Sequence, residues 1–365
     1  MTGHDDGKEN IDNTEVFDEK PRRIILGLIS QIRKGTELHR ISLPAFIFEP
    51  RSMLERITDF MSHPDLILRA SKQENNVQRF ISVVRYYLSG WYVKPKGVKK
   101  SYNPILGEFF RARWKFLDNT NALYIAEQVS HHPPVSAYYY ASPENNILIY
   151  GTLRPKSKFT GNSAGTMMHG ETKFHFTNRP GEVYRITMPN FYARGILFGK
   201  VVMELGDKTS IICEKTGLMY EMQFQTKGYF TGTYNSIHGK IIRISTGEAL
   251  FEITGKWSDI MYITNLKTGK KEILFNALES SICPKIVEPE DKQHEKESRR
   301  LWSKFTNALL VKNFDLASQE KFLVEEKQRK DIKLLEADWK PKYFTLNGTE
   351  YLFNHMHNPD AIFSL

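Results

Sequence analysis

Four groups of residues have types and spacings that bear on chemistry. The first is His131-His132-Pro133-Pro134. Adjacent histidines on a regular strand point to opposite faces, but two prolines directly behind them impose an extended turn in which both rings can reach one ligand. Zinc fits poorly, because there is no HExxH spacing and no third ligand at a recognisable offset. Two alternatives stay open: ordinary hydrogen bonding at a strand end, or anion recognition, since an imidazole donates to phosphate oxygens and titrates near ~6.5. The second group, Gly161-Asn162-Ser163-Ala164-Gly165, matches the GxSxG elbow of α/β-hydrolases. That elbow needs a strand before it and a helix after it. Here Thr166 to Phe176 reads as another strand, so the expectation is a glycine-rich bend and no nucleophile.

The third group is Lys99-Lys100-Ser101-Tyr102-Asn103-Pro104-Ile105-Leu106-Gly107-Glu108. Its lysines are either a solvated turn or cations for a phosphate whose neighbouring hydroxyl the Asn103 amide fixes. The fourth is Lys321, Glu325 and Arg329, spaced i, i+4, i+8 and so within ~80° on one helix face. Alone, such a stripe reads as exposed ion pairs worth a few tenths of a kcal/mol each (~0.3).

The elements that must position these groups change character along the chain. Ile24, Ile25, Leu28, Ile29 and Ile32 recur at helical spacing, and the patterns from Ser52 to Met61 and Glu74 to Leu88 are helical too. From Phe109 to Ala277 the period becomes two, in runs such as Arg111 to Phe116, Leu123 to Val129, Val135 to Ala141, Ile147 to Leu153, Met167 to Phe176, Ile211 to Gln225 and Ile237 to Thr264. So many strands with no helices between them predict an antiparallel meander, closed into a barrel wide enough for a ligand. Helical text returns after the charged run Glu288 to Arg300 and lasts to Leu335, and strand-like pieces such as Lys342 to Thr345 follow.

Length allows two to three domains or one large barrel-like domain. The 365 residues carry a net charge of +9, but seven acids against two lysines leave residues 1–20 at −5 and the rest at +14. A body that basic is expected to meet phosphates. Nucleic acid is disfavoured, because zinc-finger spacing and RNP-type aromatics are absent and the basic residues are scattered. Cys213 and Cys283 make no CxxC pair and read as reduced thiols, and no stretch approaches the ~18 apolar residues of a membrane span, so a cytoplasmic protein is expected.

Glu127-Gln128-Val129-Ser130-His131-His132-Pro133-Pro134-Val135-Ser136-Ala137 resembles the signature of the oxysterol-binding-protein-related lipid-transfer family. Similar text continues in Lys99 to Glu108, Pro155 to Ser163, Ser298 to Trp302 and Lys321 to Arg329, so that the resemblance covers roughly residues 22–350. It implies a mainly β fold with flanking helices, namely a large incomplete antiparallel β-barrel around a hydrophobic tunnel, with an N-terminal lid and a C-terminal helical subdomain. The expected organisation is an acidic disordered tail (1–20) and a single lipid-binding domain (21–365), with lid 21–43, helical region 44–108, barrel 109–277 and C-terminal helices and tail 278–365. No residues are left over for a pleckstrin-homology or ankyrin region.

The resemblance also implies roles. Lys100, Asn103, His131, His132, Lys321, Glu325 and Arg329 would hold the head group of phosphatidylinositol 4-phosphate, with Glu325 bracing both cations of the helix. Ser101 stands where the family usually has proline, which costs the loop a fixed φ. Leu43 to Glu55 resembles the branch that carries phosphatidylserine, assigning Leu38, His39, Arg40, Ile41, Ser42 and Leu43 to the lid contact, and Asn103 and Ser157 to the phosphatidylserine contacts. Thr36 to Ile41 departs from that branch, which keeps sterol as the alternative cargo. The implied function is counter-exchange of the two lipids with no enzymatic step, cofactor or metal, at anionic membrane surfaces and at contacts between endoplasmic reticulum and plasma membrane. Glu15 to Glu19 resembles an acidic tract that binds an endoplasmic-reticulum receptor, with Val16 where an aromatic is wanted.

Overall fold

The fold is given by a computed structural model that describes Thr14–Glu15 and residues 43–354 apart from 95–96, 160–161, 197–200, 228–231 and 336–338. The lid helix pattern and Leu38, His39, Arg40, Ile41 and Ser42 lie outside these residues, as does the acidic tract after Glu15.

Strands β1 (Thr14–Glu15), β2 (Phe48–Ser52) and β3 (Lys100–Tyr102) precede a long antiparallel run. The run comprises β4 (Phe109–Lys115), β5 (Asn121–Ser130), β6 (Val135–Ser142), β7 (Ile147–Phe159), β8 (Ser163–Phe176), β9 (Val183–Ile186), β10 (Asn190–Arg194), β11 (Val201–Cys213), β12 (Leu218–Gln225), β13 (Ser236–Arg243), β14 (Ala249–Lys256), β15 (Ile260–Asn265) and β16 (Lys271–Asn276). A last hairpin joins β17 (Phe344–Asn347) and β18 (Glu350–Phe353). The helices are α1 (Met53–Arg56), α2 (Asn76–Ser89), α3 (Ser298–Leu301), α4 (Ser303–Leu310) and α5 (Phe314–Leu335).

Neighbouring strands pair in a 14-stranded sheet whose path runs from β4 to β16, and these two edges do not pair with each other. Full closure, the simplest outcome of a meander, therefore does not occur. The β4 edge instead takes bridges from Ile286 to Arg113 and from Glu297 to Phe109, which protect its backbone.

Alternation decides what faces inward. Tyr124, Ala126, Tyr138, Tyr140, Ile149 and Leu153 join the main core inside the curl, whereas Leu123, Ile125, Ala137 and Tyr139 point outward beneath Tyr343, Phe344 and Phe353 of the terminal hairpin. Helix α2 lies within the curl. Its start is set by Asn75, whose side chain accepts from the amides of Val77 and Gln78. Its Phe80 meets Tyr184, Tyr86 meets Phe174, and Trp91 beyond its end meets Phe224.

Several expectations change. The helix expected over Ser52 to Met61 is α1 followed by a tighter 3₁₀ turn at Ile57–Met61. The text from Ile211 to Gln225 spans two strands, β11 and β12, turned at 214–217. The bend expected at 161–165 is shorter, because Ser163, Ala164 and Gly165 already pair in β8 with β10. Within the tail expected to be disordered, Thr14 and Glu15 pair with Val202 and Val201. The sheet pairing of 14–15 was hidden because two residues carry no readable period.

Candidate functional site

Strands β2 and β3 run parallel, with Phe48 opposite Lys100 and Ser52 opposite Tyr102. This pairing fixes the backbone at Ser101, which is buried and donates from its hydroxyl to the Met53 sulfur at 3.3 Å. The strand thus supplies the constraint that a proline would have supplied. Lys100 is half-buried, and its Nζ donates to the Asn103 Oδ1 at 2.5 Å and lies 6.0 Å from the centre of the Phe48 ring. Lys321 of α5 approaches the same ring at 5.6 Å and donates to Glu325 at 2.5 Å. Two cations from distant parts of the chain therefore share one aromatic ring and one nearby carboxylate partner. Burial, followed by the charge of Lys321, holds the Lys100 ammonium down to about 8, and Glu325 and Glu49 oppose the shift.

Glu325 braces only one of the two helix cations. Arg329 is exposed and lies 5.6 Å over the ring of Phe322, because eight residues of helix carry it past the packed face that Ala317 and Lys321 occupy. His131 and His132 do come together, their ring centres 4.5 Å apart and edge to face. The turn that carries them is tied down by Ser130, whose hydroxyl donates to the Pro133 carbonyl at 2.8 Å.

The two halves of the site share an end of the sheet. Gly107 N donates to Gln128 O and Gln128 N to Glu108 O, extending the β4–β5 ladder past Phe109. The Asn103 loop thus enters where the histidine turn leaves. Glu108, within the Lys99–Glu108 motif but without a role in the sequence reading, is fully buried and accepts from Ser52 Oγ (2.5 Å), Ser298 Oγ (2.7 Å), Trp302 Nε1 (2.9 Å) and Ile105 N (3.0 Å). It ties β2, the Asn103 loop and the C-terminal helices to one point. Burial pushes its carboxyl above the ordinary range against these four bonds. A glutamate between Gly107 and an apolar run was the available signal.

Ser157 lies on the part of β7 that continues beyond β6, on the inward side shared with Ile149 and Leu153. It bonds Thr166 Oγ1 at 2.7 Å. In register, Ser157, Thr166, Phe191 and Leu205 form a row across four strands. Around that row Ala193 and Met203 keep partial exposure, as does every residue of β10. At the other end, a cavity of about 20 Å³ beneath α2, lined by Tyr86, Tyr138, Thr172 and Phe174 among others, has room for about one water. Leu43 packs beside the cluster of Phe48, Tyr102, Trp302 and Phe305.

A curled sheet filled beneath α2, with a partly exposed strand and two cations at the opposite end, has the shape and charge of a class of protein that takes an amphiphile. The model of the oxysterol-binding protein family matches residues 27–309. An oxysterol-binding protein homolog of Schizosaccharomyces pombe is 44% identical over 95% of this chain and 75% of its own length. Among solved structures, the Osh1 ORD domain in complex with cholesterol aligns with a TM-score of 0.74 and 22% identity, covering 94% of this chain and 89% of that one. The Osh3 ORD in complex with PI(4)P from Saccharomyces cerevisiae aligns with a TM-score of 0.71 and 20% identity over 95% and 92%. The chain belongs to the oxysterol-binding protein family and is a lipid-binding domain of that type.

Proposed function

We propose that this protein carries phosphatidylserine one way and phosphatidylinositol 4-phosphate the other between apposed membranes, as a single domain over 21–365 that encloses one lipid at a time. The observation that carries the reading is the pair of ammonium groups, Lys100 and Lys321, over the Phe48 ring. A phosphate monoester brings nearly two negative charges, and partly buried cations held near one another are stabilised by such an anion. Asn103 and the His131–His132 pair at the same sheet end would hold the inositol phosphate, with Glu325 keeping Lys321 in place and Arg329 turning inward from Phe322 on binding. The relative described as a complex with PI(4)P supports this ligand.

The phosphatidylserine arm draws on Leu43, packed at the rim, and on Ser157, placed in an inward row with apolar Phe191 and Leu205. Leu38, His39, Arg40, Ile41 and Ser42 would close over the lipid. The Osh1 relative in complex with cholesterol favours sterol as the second reading. The working place would be the cytoplasmic side of contacts between endoplasmic reticulum and plasma membrane, with receptor binding through Glu15 to Glu19 as a secondary proposal.

The test loads purified protein from liposomes containing phosphatidylserine, sterol and phosphatidylinositol 4-phosphate, and identifies retained lipids by mass spectrometry. Phosphatidylserine and the phosphoinositide without sterol are expected. Sterol in place of phosphatidylserine would overturn the Leu43 and Ser157 assignments while keeping the phosphate site. His131→Ala combined with His132→Ala is expected to abolish phosphoinositide retention with an unchanged melting curve.

A further inference from the structure

We propose that the corner between α4 and α5 is the surface with which this protein seats itself on an anionic lipid bilayer. Leu310 and Val311 are 63% and 73% exposed, and Phe314, Leu316 and Leu323 are exposed as well. Large apolar side chains usually reach a protein surface singly; here Leu310, Val311, Phe314 and Leu316 stand within one turn of the bend, and Phe322 and Leu323 follow farther along the helix. Apart from Phe314, which meets Phe46, the helix packing does not need them. Its packed side is Ala317, Lys321, Val324 and Gln328, and at 100° per residue Leu316 and Leu323 stand on the far side. They complete no core among the described residues.

Charge and position select the occupant. Next to the bend, Lys304 and Lys312 are exposed with Asp315 as the exposed acid; farther along, exposed Lys327, Arg329 and Lys330 alternate with half-buried Glu320, Glu325, Glu326 and Asp331, Glu326 bonded to Lys330 at 3.4 Å. Apolar side chains at a tip with cations behind them match the acyl boundary and head groups of an anionic leaflet. The corner is also continuous with the lipid site. The Phe314 ring meets Phe46 edge to face at 6.1 Å, two residues from Phe48, and Lys321 lies farther along the same helix. A bilayer touching Leu310 and Val311 would therefore face the open rim. This assignment rests on the lipid-carrier reading for its purpose, though not for its observations.

The test uses the full chain with vesicles of phosphatidylcholine, with and without phosphatidylserine. Leu310→Asp with Val311→Asp is expected to weaken association with phosphatidylserine vesicles by about tenfold or more, since two side chains that would be buried in lipid become charged. Binding of a water-soluble short-chain phosphatidylinositol 4-phosphate is expected to stay unchanged, which separates docking from the ligand site. A second variant, Val311→Trp, is expected to show a blue-shifted emission on adding the same vesicles. Unchanged association, or an unshifted emission, would overturn the proposal. So would a wild-type dimer that the double aspartate variant turns into a monomer, because a second copy would then be the occupant. If wild-type protein retained no lipid yet the double variant still lost vesicle binding, the corner would stand and the carrier reading would fall.

Discussion

Lys100 and Lys321 stand above one phenylalanine ring, and this arrangement costs free energy that an anion would recover. Desolvation and mutual repulsion keep the Lys100 ammonium near 8, so its charge is fully present below that pH and is lost as pH rises through it. A bound phosphate favours the ammonium, raising its pKa and taking up a proton. Binding of soluble phosphatidylinositol 4-phosphate should therefore weaken above pH 8, by at most about tenfold per unit. Titration calorimetry across that range checks this, and a flat profile would remove Lys100 from the phosphate. Lys321→Ala should bind more weakly overall with its inflection moved upward, since one cause of the lowered value is gone. The residue types of this site were legible in the sequence: the paired histidines, the Lys100–Asn103 spacing and the helical stripe each stood out. Phe48 was not, because nothing in a short strand holding Pro50 says that two lysines from distant segments will meet above its ring.

Helices and strands were legible where a period repeats often enough. Strands β5 to β8 each run for eight or more residues and appear where expected, whereas β2 and β3 are short and parallel, which no repeating pattern reveals. The β17–β18 hairpin shows the same limit. Its strands were faintly readable, but its docking site was not. Glu127, between Ala126 and Gln128 of the signature, points outward and accepts the amides of Lys342 and Tyr343 at 2.7 and 2.8 Å. Burial outweighs these bonds and raises the carboxyl to about 7 from the ordinary 4.5. The folded state thus binds this proton more tightly than the unfolded chain does. Stability from this group is present below about 4.5 and is lost as pH rises to about 7, by at most ~3 kcal/mol. Glu127→Gln, which keeps an oxygen for the amides, should flatten that part of the pH dependence in denaturant titrations. A slope identical to wild type would assign the effect to another group.

At the scale of the whole molecule, an open sheet has to be kept from collapsing at one end and from being filled at the other, and α2 does the first. It enters where β7 begins and β8 ends, and its hold there is polar as well as apolar. Arg79 donates to both oxygens of Glu182 at 2.5 and 2.7 Å, with both side chains buried, and Tyr184 donates to the same carboxylate. The bond to Glu182 is the leading cause that raises the Arg79 guanidinium, and Arg79 with Tyr184 holds Glu182 below the usual carboxylate range against burial. Replacing one partner strands the other in an apolar interior, which typically costs ~3–5 kcal/mol, far more than the pair itself contributes. Arg79→Met should lower the denaturant midpoint accordingly, and Arg79→Met with Glu182→Met should recover part of the loss, because no unpaired charge is then left inside. Along β7 the pair sits at the Ile147 end and the proposed phosphate site at the end beyond Leu153, so the double variant should still retain phosphatidylinositol 4-phosphate at temperatures where it is folded. If the folded double variant retained none, α2 would have to shape the lipid chamber directly rather than close its far end.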